Sequence, residues 1–511
     1  MLSIHLGMKR SLLSLRSAEF SASVLLLGTL LGLVAGGCGS GSSDAAGGAG
    51  TNAAGAPSGA AGATGNAGGA GLPQGNSAGM SGGGAAGALN VAGAAGSSAG
   101  STAVAGSGGV AGSSGNAGTA GKAGSGGMSG SAGASGSGGS GGAAPNTSWV
   151  GTWAASPQSG GNTFKAQTLR QIVHTSISGT EARIQLSNAF GGQALNVSDV
   201  HIANRTTGSS IDTASDKAVT FGGKAAFTIP ANGLAVSDSI AFPVAALADV
   251  AVSFYLPEQT QQLTFHQLGM TTNYYAAGDL SANKDLAGAQ SMGSYMLLAN
   301  LDVKNAAALG SLVTLGASIT DGYASTGGAN LRWPNDLAKR FNTSGPVVGV
   351  LNQGISGNAL LHDGAGESAI KRFKRDVIDQ PGVKWVIMSD DPINDLGATN
   401  NRPTGAQLIA GLQQIMMAAH QANLKYFCST LTPFEGSGGW SADGEVARGQ
   451  VNAFIRGASS GCDGIIDQDT ATHDPNNITK FLPKFNDGDG LHPNNAGLQA
   501  IADAVPLTLF K

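Results

Sequence analysis

From residue 148 onward the hydrophobic and polar positions follow two different periods. Up to about residue 303, apolar residues alternate with polar ones in short runs broken by Gly, Asn and Asp: Leu169–Ser176, Ala182–Leu186, Val197–Ala203, Asp249–Tyr255 and Tyr295–Val303. Runs of this length with β-branched enrichment predict strands. Asn-Ala-Phe-Gly-Gly at 188–192 and Pro-Ala-Asn-Gly at 230–233 supply turns between them. Together they predict a sandwich or jelly-roll layer over 148–306. From Leu312 the pattern changes. Apolar strands at Leu312–Leu315, Val347–Leu351, Trp385–Met388, Tyr426–Thr430 and Gly464–Asp467 alternate with helical stretches at Pro334–Phe341, Glu367–Ile378, Gly405–Ala422 and Glu445–Gly457. Such alternation predicts an α/β domain over 307–511, a parallel sheet flanked by helices. Ligands of these sheets collect at the carboxyl ends of the strands.

The residues before 148 follow neither pattern. Lys9, Arg10 and Arg16 precede an apolar run from Val24 to Ala35, too short for a permanent span, and residues 1–38 read as an export signal. Ala35-Gly36-Gly37-Cys38 resembles the end of a bacterial lipobox, which implies lipidation at Cys38 and a place in the cell envelope or outside the cell; an ordinary cleaved signal followed by a stray cysteine is the other reading. Residues 39–147 are about three quarters Gly, Ala and Ser, with Asp44 and Lys122 their only charges. A chain so poor in large apolar side chains cannot offset the entropy of ordering, which predicts a disordered linker. At this length its r.m.s. span is roughly 60 Å.

Charge and cysteines narrow the field further. Residues 148–511 hold 23 basic and 29 acidic side chains and no run of like charge, so the basic stripe that nucleic acid requires is missing. Three cysteines exclude a disulfide-dense scaffold and a four-cysteine zinc site. Cys428 and Cys462, at the edges of consecutive predicted strands, suit either a disulfide or two separate thiols.

Two motifs carry chemistry. Ser318 stands at the end of a predicted strand, in Gly316-Ala317-Ser318-Ile319-Thr320-Asp321-Gly322, where an exposed nucleophile belongs; Thr320 breaks the Gly-x-Ser-x-Gly elbow. Near the other end, Asp487-Gly488-Asp489-Gly490-Leu491-His492 leads into a predicted helix at Ala496–Val505. A carboxylate three residues before an imidazole, in a turn, can hold one ring nitrogen while the other faces a serine. A calcium loop is excluded, because its twelfth position falls on Leu498. The remaining histidines after residue 148, His174, His201, His266, His362, His420 and His473, have no ligand spacing and read as surface or packing residues.

Taken in order, Ser318, Gly354 in Asn352-Gln353-Gly354-Ile355-Ser356-Gly357-Asn358, Asn394 in Pro392-Ile393-Asn394-Asp395, and Asp489-x-x-His492 resemble the four blocks of the SGNH, or GDSL-type, hydrolase superfamily. Trp149–Pro157 and Thr430–Phe434 resemble the subgroup that adds an amino-terminal β domain and is similar to arylesterases of xylan-degrading clusters. The resemblance implies a serine esterase with Ser318, Asp489 and His492 as triad. It further implies an oxyanion hole from the N–H groups of Ser318 and Gly354 and the Asn394 amide, with no metal and no cofactor. The substrate it implies is a short-chain acyl ester, above all acetyl, on plant or microbial polysaccharide. A short-chain lipase or arylesterase is the nearest alternative, and a glycan-binding protein with a disabled site is the alternative outside enzymes. Two departures stand out. Pro392 replaces the Gly usual two residues before the Asn, behind Asp390 and Asp391, which puts a fixed φ, a lost N–H and negative charge beside the oxyanion site. Ala317 replaces the usual Asp of the first block. Neither oligomeric state nor the part the β domain plays is legible in the sequence.

Overall fold

Alternation after residue 148 builds strands in the computed structural model of the protein, which describes residues 148–511. The export signal, Cys38 and the linker lie outside the described residues. In chain order the β half runs β1 (Trp149–Ala154), β2 (Gln167–His174), β3 (Glu181–Ser187), β4 (Leu195–Asn204), β5 (Lys217–Val219), β6 (Phe227–Ile229), β7 (Leu234–Val236), β8 (Asp249–Leu256), β9 (Phe265–His266), β10 (Asn273–Ala277), β11 (Gln290–Met292), β12 (Tyr295–Met296) and β13 (Leu298–Lys304). One sheet has the order β1-β13-β3-β7. A larger one runs β11-β10-β2-β8-β4-β5, with β6 also on β4. Val173, Ile184, Val252, Phe254 and Leu301 belong to the apolar cluster that the strands enclose. The run Tyr295–Val303, expected as one strand, is two. Leu297 takes φ 60° between them, and its N–H and C=O bond to Thr264 and Ser187, so the chain changes sheets at that residue.

The α/β half follows as β14 (Gly310–Gly316), α1 (Ser318–Asp321), α2 (Trp333–Ser344), β15 (Val348–Gly354), α3 (Ala369–Phe373), β16 (Val383–Met388), α4 (Asp391–Leu396), α5 (Gly405–Gln421), β17 (Lys425–Ser429), α6 (Ala442–Arg456), β18 (Gly464–Ile466), α7 (Gln468–Thr472), β19 (His473–Asp474), β20 (Asn477–Phe481) and α8 (Asn495–Asp503). The helix expected over Glu367–Ile378 starts later and finishes in a π turn at Lys374–Ile378. Five strands pair in parallel in the order β15-β14-β16-β17-β18. Strand order reverses at β14, flanked by β15 on one side and β16 on the other. That switch point opens a crevice beyond the carboxyl ends of three adjacent strands. Fully buried apolar side chains such as Leu312, Val313, Val386 and Ile387 give these strands the continuous hydrophobic reading of a sheet covered on both faces.

Cys428 and Cys462 form a disulfide between the end of β17 and the approach to β18. The two halves meet along β1. Its Gly151 N–H donates to the Pro381 carbonyl at 3.2 Å and to Ser311 Oγ at 2.9 Å. On β15, a Cβ at Gly349 would run into the Gly151 carbonyl oxygen, so only glycine lets the two strands come this close.

Candidate active site

Each strand bordering the switch point leads into a segment that carries a candidate residue. Ser318 follows β14 as the first residue of α1, the turn containing Gly357 follows β15, and Asn394 follows β16 within α4. His492 enters from the loop before α8, whose N-cap Asn494 accepts the N–H groups of Ala496 and Gly497. Ser318 Oγ lies 2.9 Å from His492 Nε2, and His492 Nδ1 lies 2.6 Å from Asp489 Oδ2. A carboxylate opposite Nδ1 obliges that nitrogen to carry the proton, so Nε2 accepts and the Ser318 hydroxyl donates. The other oxygen of Asp489 accepts the N–H groups of Leu491 and His492, each at 2.8 Å. Burial pushes the Asp489 carboxyl up, but the His492 ring and these two N–H groups outweigh it and hold the group below its ordinary value. Asp489 is therefore a fixed anion. Tyr323, 44% exposed, rests its ring 4.3 Å from the imidazole of His492.

A serine aimed at a carboxylate-held imidazole, at the switch point of a parallel sheet, coincides with residues 314–500 matching the model of the GDSL-like Lipase/Acylhydrolase family. Residues 314–500 form a GDSL-like lipase/acylhydrolase domain. The match starts in β14 and ends in α8, so the β half is outside it. Among solved structures, the chain is similar to a GDSL-like lipase from Bacteroides thetaiotaomicron at 16% identity, covering 39% of this chain and 87% of that one with a TM-score of 0.30. It is also similar to a carbohydrate acetylesterase family member from Sinorhizobium meliloti at 15% identity, covering 38% and 94% with a TM-score of 0.31. A mutant acetyl-xylooligosaccharide esterase from Geobacillus Stearmophilus is a third, at 20% identity, covering 38% and 91% with a TM-score of 0.30. No curated protein matches the chain.

The groups with hydrogens free to donate beside Ser318 differ from the expected donor set at one position. Gly354 is buried, and its N–H already donates to Asn352 Oδ1 at 2.9 Å. It is a glycine because a Cβ there would strike the backbone of Thr320 and Asp321. Three residues on, Gly357 is exposed, takes φ 80°, and offers an N–H with no acceptor among the described residues. The Ser318 N–H, at the start of α1, is likewise without an acceptor among the described residues. Asn394 gives one Nδ2 hydrogen to the Asn358 carbonyl at 2.8 Å and keeps the other. Ser318, Gly357 and Asn394 are thus the donors with hydrogens to spare. The only sequence signal for Gly357 is that the same block holds a second glycine, in Ser356-Gly357-Asn358.

Both departures in the acylhydrolase blocks have a structural account. Pro392 sits in the first turn of α4, where its N–H would have no intrahelical partner. The negative charge expected beside the oxyanion site is not free, because Asp390 and Asp391 are buried and each is bonded. Asp390 accepts the N–H of Ile319 at 2.8 Å and the Thr320 hydroxyl at 2.5 Å, supplying α1 with the carboxylate that Ala317 lacks. Asp391 Oδ1 faces Arg372 Nη2 at 3.3 Å and accepts from Asn358 Nδ2 at 2.8 Å. Its other oxygen is buried without a partner among the described residues. Burial pushes this carboxyl up, Arg372 pulls it down and Asp390 raises it again, leaving it at about 6.

Beside Asn394 and Asp489 opens a cavity of about 290 Å³, lined by Ile393, Phe434, Leu491 and the glycines 397, 438 and 439. A comparable cavity of about 260 Å³ between Asn232, Asn300 and Arg375 contains none of these groups, so size alone does not select the site.

Proposed function

We propose that the protein is a serine esterase that removes short acyl groups, acetyl foremost, from acylated polysaccharide. The observation that carries the reading is the linked pair of contacts, Ser318 Oγ to His492 Nε2 at 2.9 Å and His492 Nδ1 to Asp489 Oδ2 at 2.6 Å. In the proposed reaction Ser318 Oγ bonds to the ester carbonyl carbon as its proton passes to His492 Nε2. The resulting oxyanion takes hydrogen bonds from the N–H groups of Ser318 and Gly357 and from Asn394, each such donor typically worth a few kcal/mol in the transition state. Collapse breaks the bond to the leaving alcohol, which collects the proton from Nε2. Water then repeats the sequence on the acyl-serine.

The cavity beside Asn394 suits a short acyl chain better than a fatty one, since glycines 397, 438 and 439 supply no long apolar wall. Tyr323 against His492, and Trp440 next to Gly439, offer exposed aromatic faces to a sugar ring. Export belongs to the same proposal, with lipid attachment at Cys38 and a linker reaching roughly 60 Å beyond the surface; it is supported by the sequence of residues 1–147 and by the disulfide, a bond of oxidising compartments. Hydrolysis of p-nitrophenyl acetate and of acetylated xylan is the test. Activity on both that disappears in Ser318→Ala is the expected result. Equal rates for the folded wild type and the variant would defeat the esterase reading, and activity on the nitrophenyl ester alone would defeat the polysaccharide part.

A further inference from the structure

One histidine read as a packing residue does not pack like one. His266 ends β9 in the β half, 5% exposed, yet its Nε2 reaches across to Asp321 Oδ1 at 3.0 Å, in the last residue of α1. Its Nδ1 lies 3.1 Å from the carbonyl oxygen of Ser156. A carbonyl can only accept, so Nδ1 carries a proton, and a carboxylate opposite Nε2 calls for a second one. Asp321, 2% exposed, has its other oxygen on the Ser356 N–H at 2.8 Å, one residue before Gly357. The carboxylate therefore joins the helix that starts with Ser318 to the turn that carries Gly357. Burial works against a charged ring at His266, while the charge and hydrogen bond of Asp321 and the Ser156 carbonyl favour it; together they lift the ring above its ordinary value against the opposing charge of Arg332.

The same corner holds the rest of the β half's contribution. Ser156, in the segment Trp149–Pro157, donates from its hydroxyl to Gln353 Oε1 at 2.6 Å. It also accepts from Arg372 Nη1 at 3.1 Å. Arg372 in turn donates to the carbonyls of Gln353 and Gly316, the ends of β15 and β14.

We infer that His266, supplied by the β half, is a positioning residue of the acylhydrolase site: acting through Asp321, it fixes the Ser318 helix relative to the Gly357 turn. This rests on the esterase reading above, and it makes the β half part of the catalytic apparatus instead of an appended module. A residue with this task controls kcat more than KM, because it sets the distance between nucleophile and oxyanion donors and touches no substrate.

The test uses the whole protein with His266→Gln, which keeps one donor for Asp321, and His266→Phe, which keeps none. Ser318 is counted by exhaustive labelling with a fluorophosphonate, and kcat per labelled serine and KM are measured on p-nitrophenyl acetate. The expected order in kcat is wild type, then Gln, then Phe, with Phe down by roughly 100-fold and KM within about twofold in both. In the wild type, nitrogen-15 shifts are expected to show both ring nitrogens of His266 protonated at pH 7, a readout that does not depend on either variant folding. Variants that melt lower but keep kcat per labelled serine, or a wild-type ring carrying one proton at pH 7, would overturn the inference. A wild type whose Ser318 is not labelled overturns the esterase reading and this inference with it, whereas a labelled wild type beside unchanged variants overturns this inference alone.

Discussion

Replacing Asn394 by alanine separates the chemistry of this site from its architecture. The side chain has two Nδ2 hydrogens. One is held by the Asn358 carbonyl at 2.8 Å, and the other is left for the oxyanion. Truncation therefore removes two things of different size. Loss of the oxyanion donor is expected to lower kcat by about 100- to 1,000-fold, or roughly 3–4 kcal/mol in the transition state. Loss of the bond to Asn358 costs stability by about 1 kcal/mol, since the carbonyl it leaves is partly buried. The N–H groups of Ser318 and Gly357 stay in place, so the residual rate stays above that of Ser318→Ala. Asn394→Asp keeps the shape while removing both hydrogens and adding a charge that repels the oxyanion, and it is expected to be slower than the alanine variant. The assay is kcat on p-nitrophenyl acetate, referred to fluorophosphonate-reactive serine, with a urea melt to read the stability term. An alanine variant within about threefold of wild type in kcat, with its fold intact, refutes the donor set of Ser318, Gly357 and Asn394.

Three further outcomes are expected. Asp391 is held near 6 in the folded chain, above the value of an exposed Asp, so the folded state binds the extra proton and stability from this group falls as pH rises from about 4 to about 6; melting curves across that range should lose part of this slope in Asp391→Asn. The disulfide closes a loop with a sequence separation of 34, and Cys428→Ser with Cys462→Ser should cost on the order of 3–4 kcal/mol in a urea titration, while a peptide map without reductant should recover the two cysteines linked. Phe510, 3% exposed, meets Phe341, Trp385 and Phe427 edge-on at 4.9, 5.6 and 5.4 Å; Phe510→Ala should cost about 3–5 kcal/mol and lower the melting temperature by about 4–7 °C.

Much of the α/β half was legible because periodicity and chemistry agree there. Each apolar run long enough to be a buried strand became one, and Ser318, Asn394 and the Asp489–His492 pair needed only a strand end or a turn, both visible locally. What stayed hidden depended on contacts remote in sequence. Gly354 and Gly357 share one block, and the choice between them rests on whether Asn352 takes the N–H, a side-chain event with no period. Asp390 reads as a charge beside the site until the fold turns it onto the N–H of Ile319, 71 residues away. His266 shows no motif at all, because its partner is in the other half of the fold. Leu297 divides an apparently continuous strand because its φ of 60° is imposed by the two sheets it joins, and no local pattern encodes that.

The place where β1 lies has a mechanical consequence. The chain preceding residue 148 joins the described fold through this strand, which is laddered antiparallel to β13 and stitched through Gly151 to Pro381 and Ser311. A pull from that side acts first on this strand, whose bonds reach β13 and, through Gly151, the α/β half. Two residues beyond β1, the same segment presents Ser156 to Arg372 and His266. Tension strong enough to displace the strand would thus reach Ser156, Gln353 and Arg372, and through them the carboxyl ends of β15 and β14.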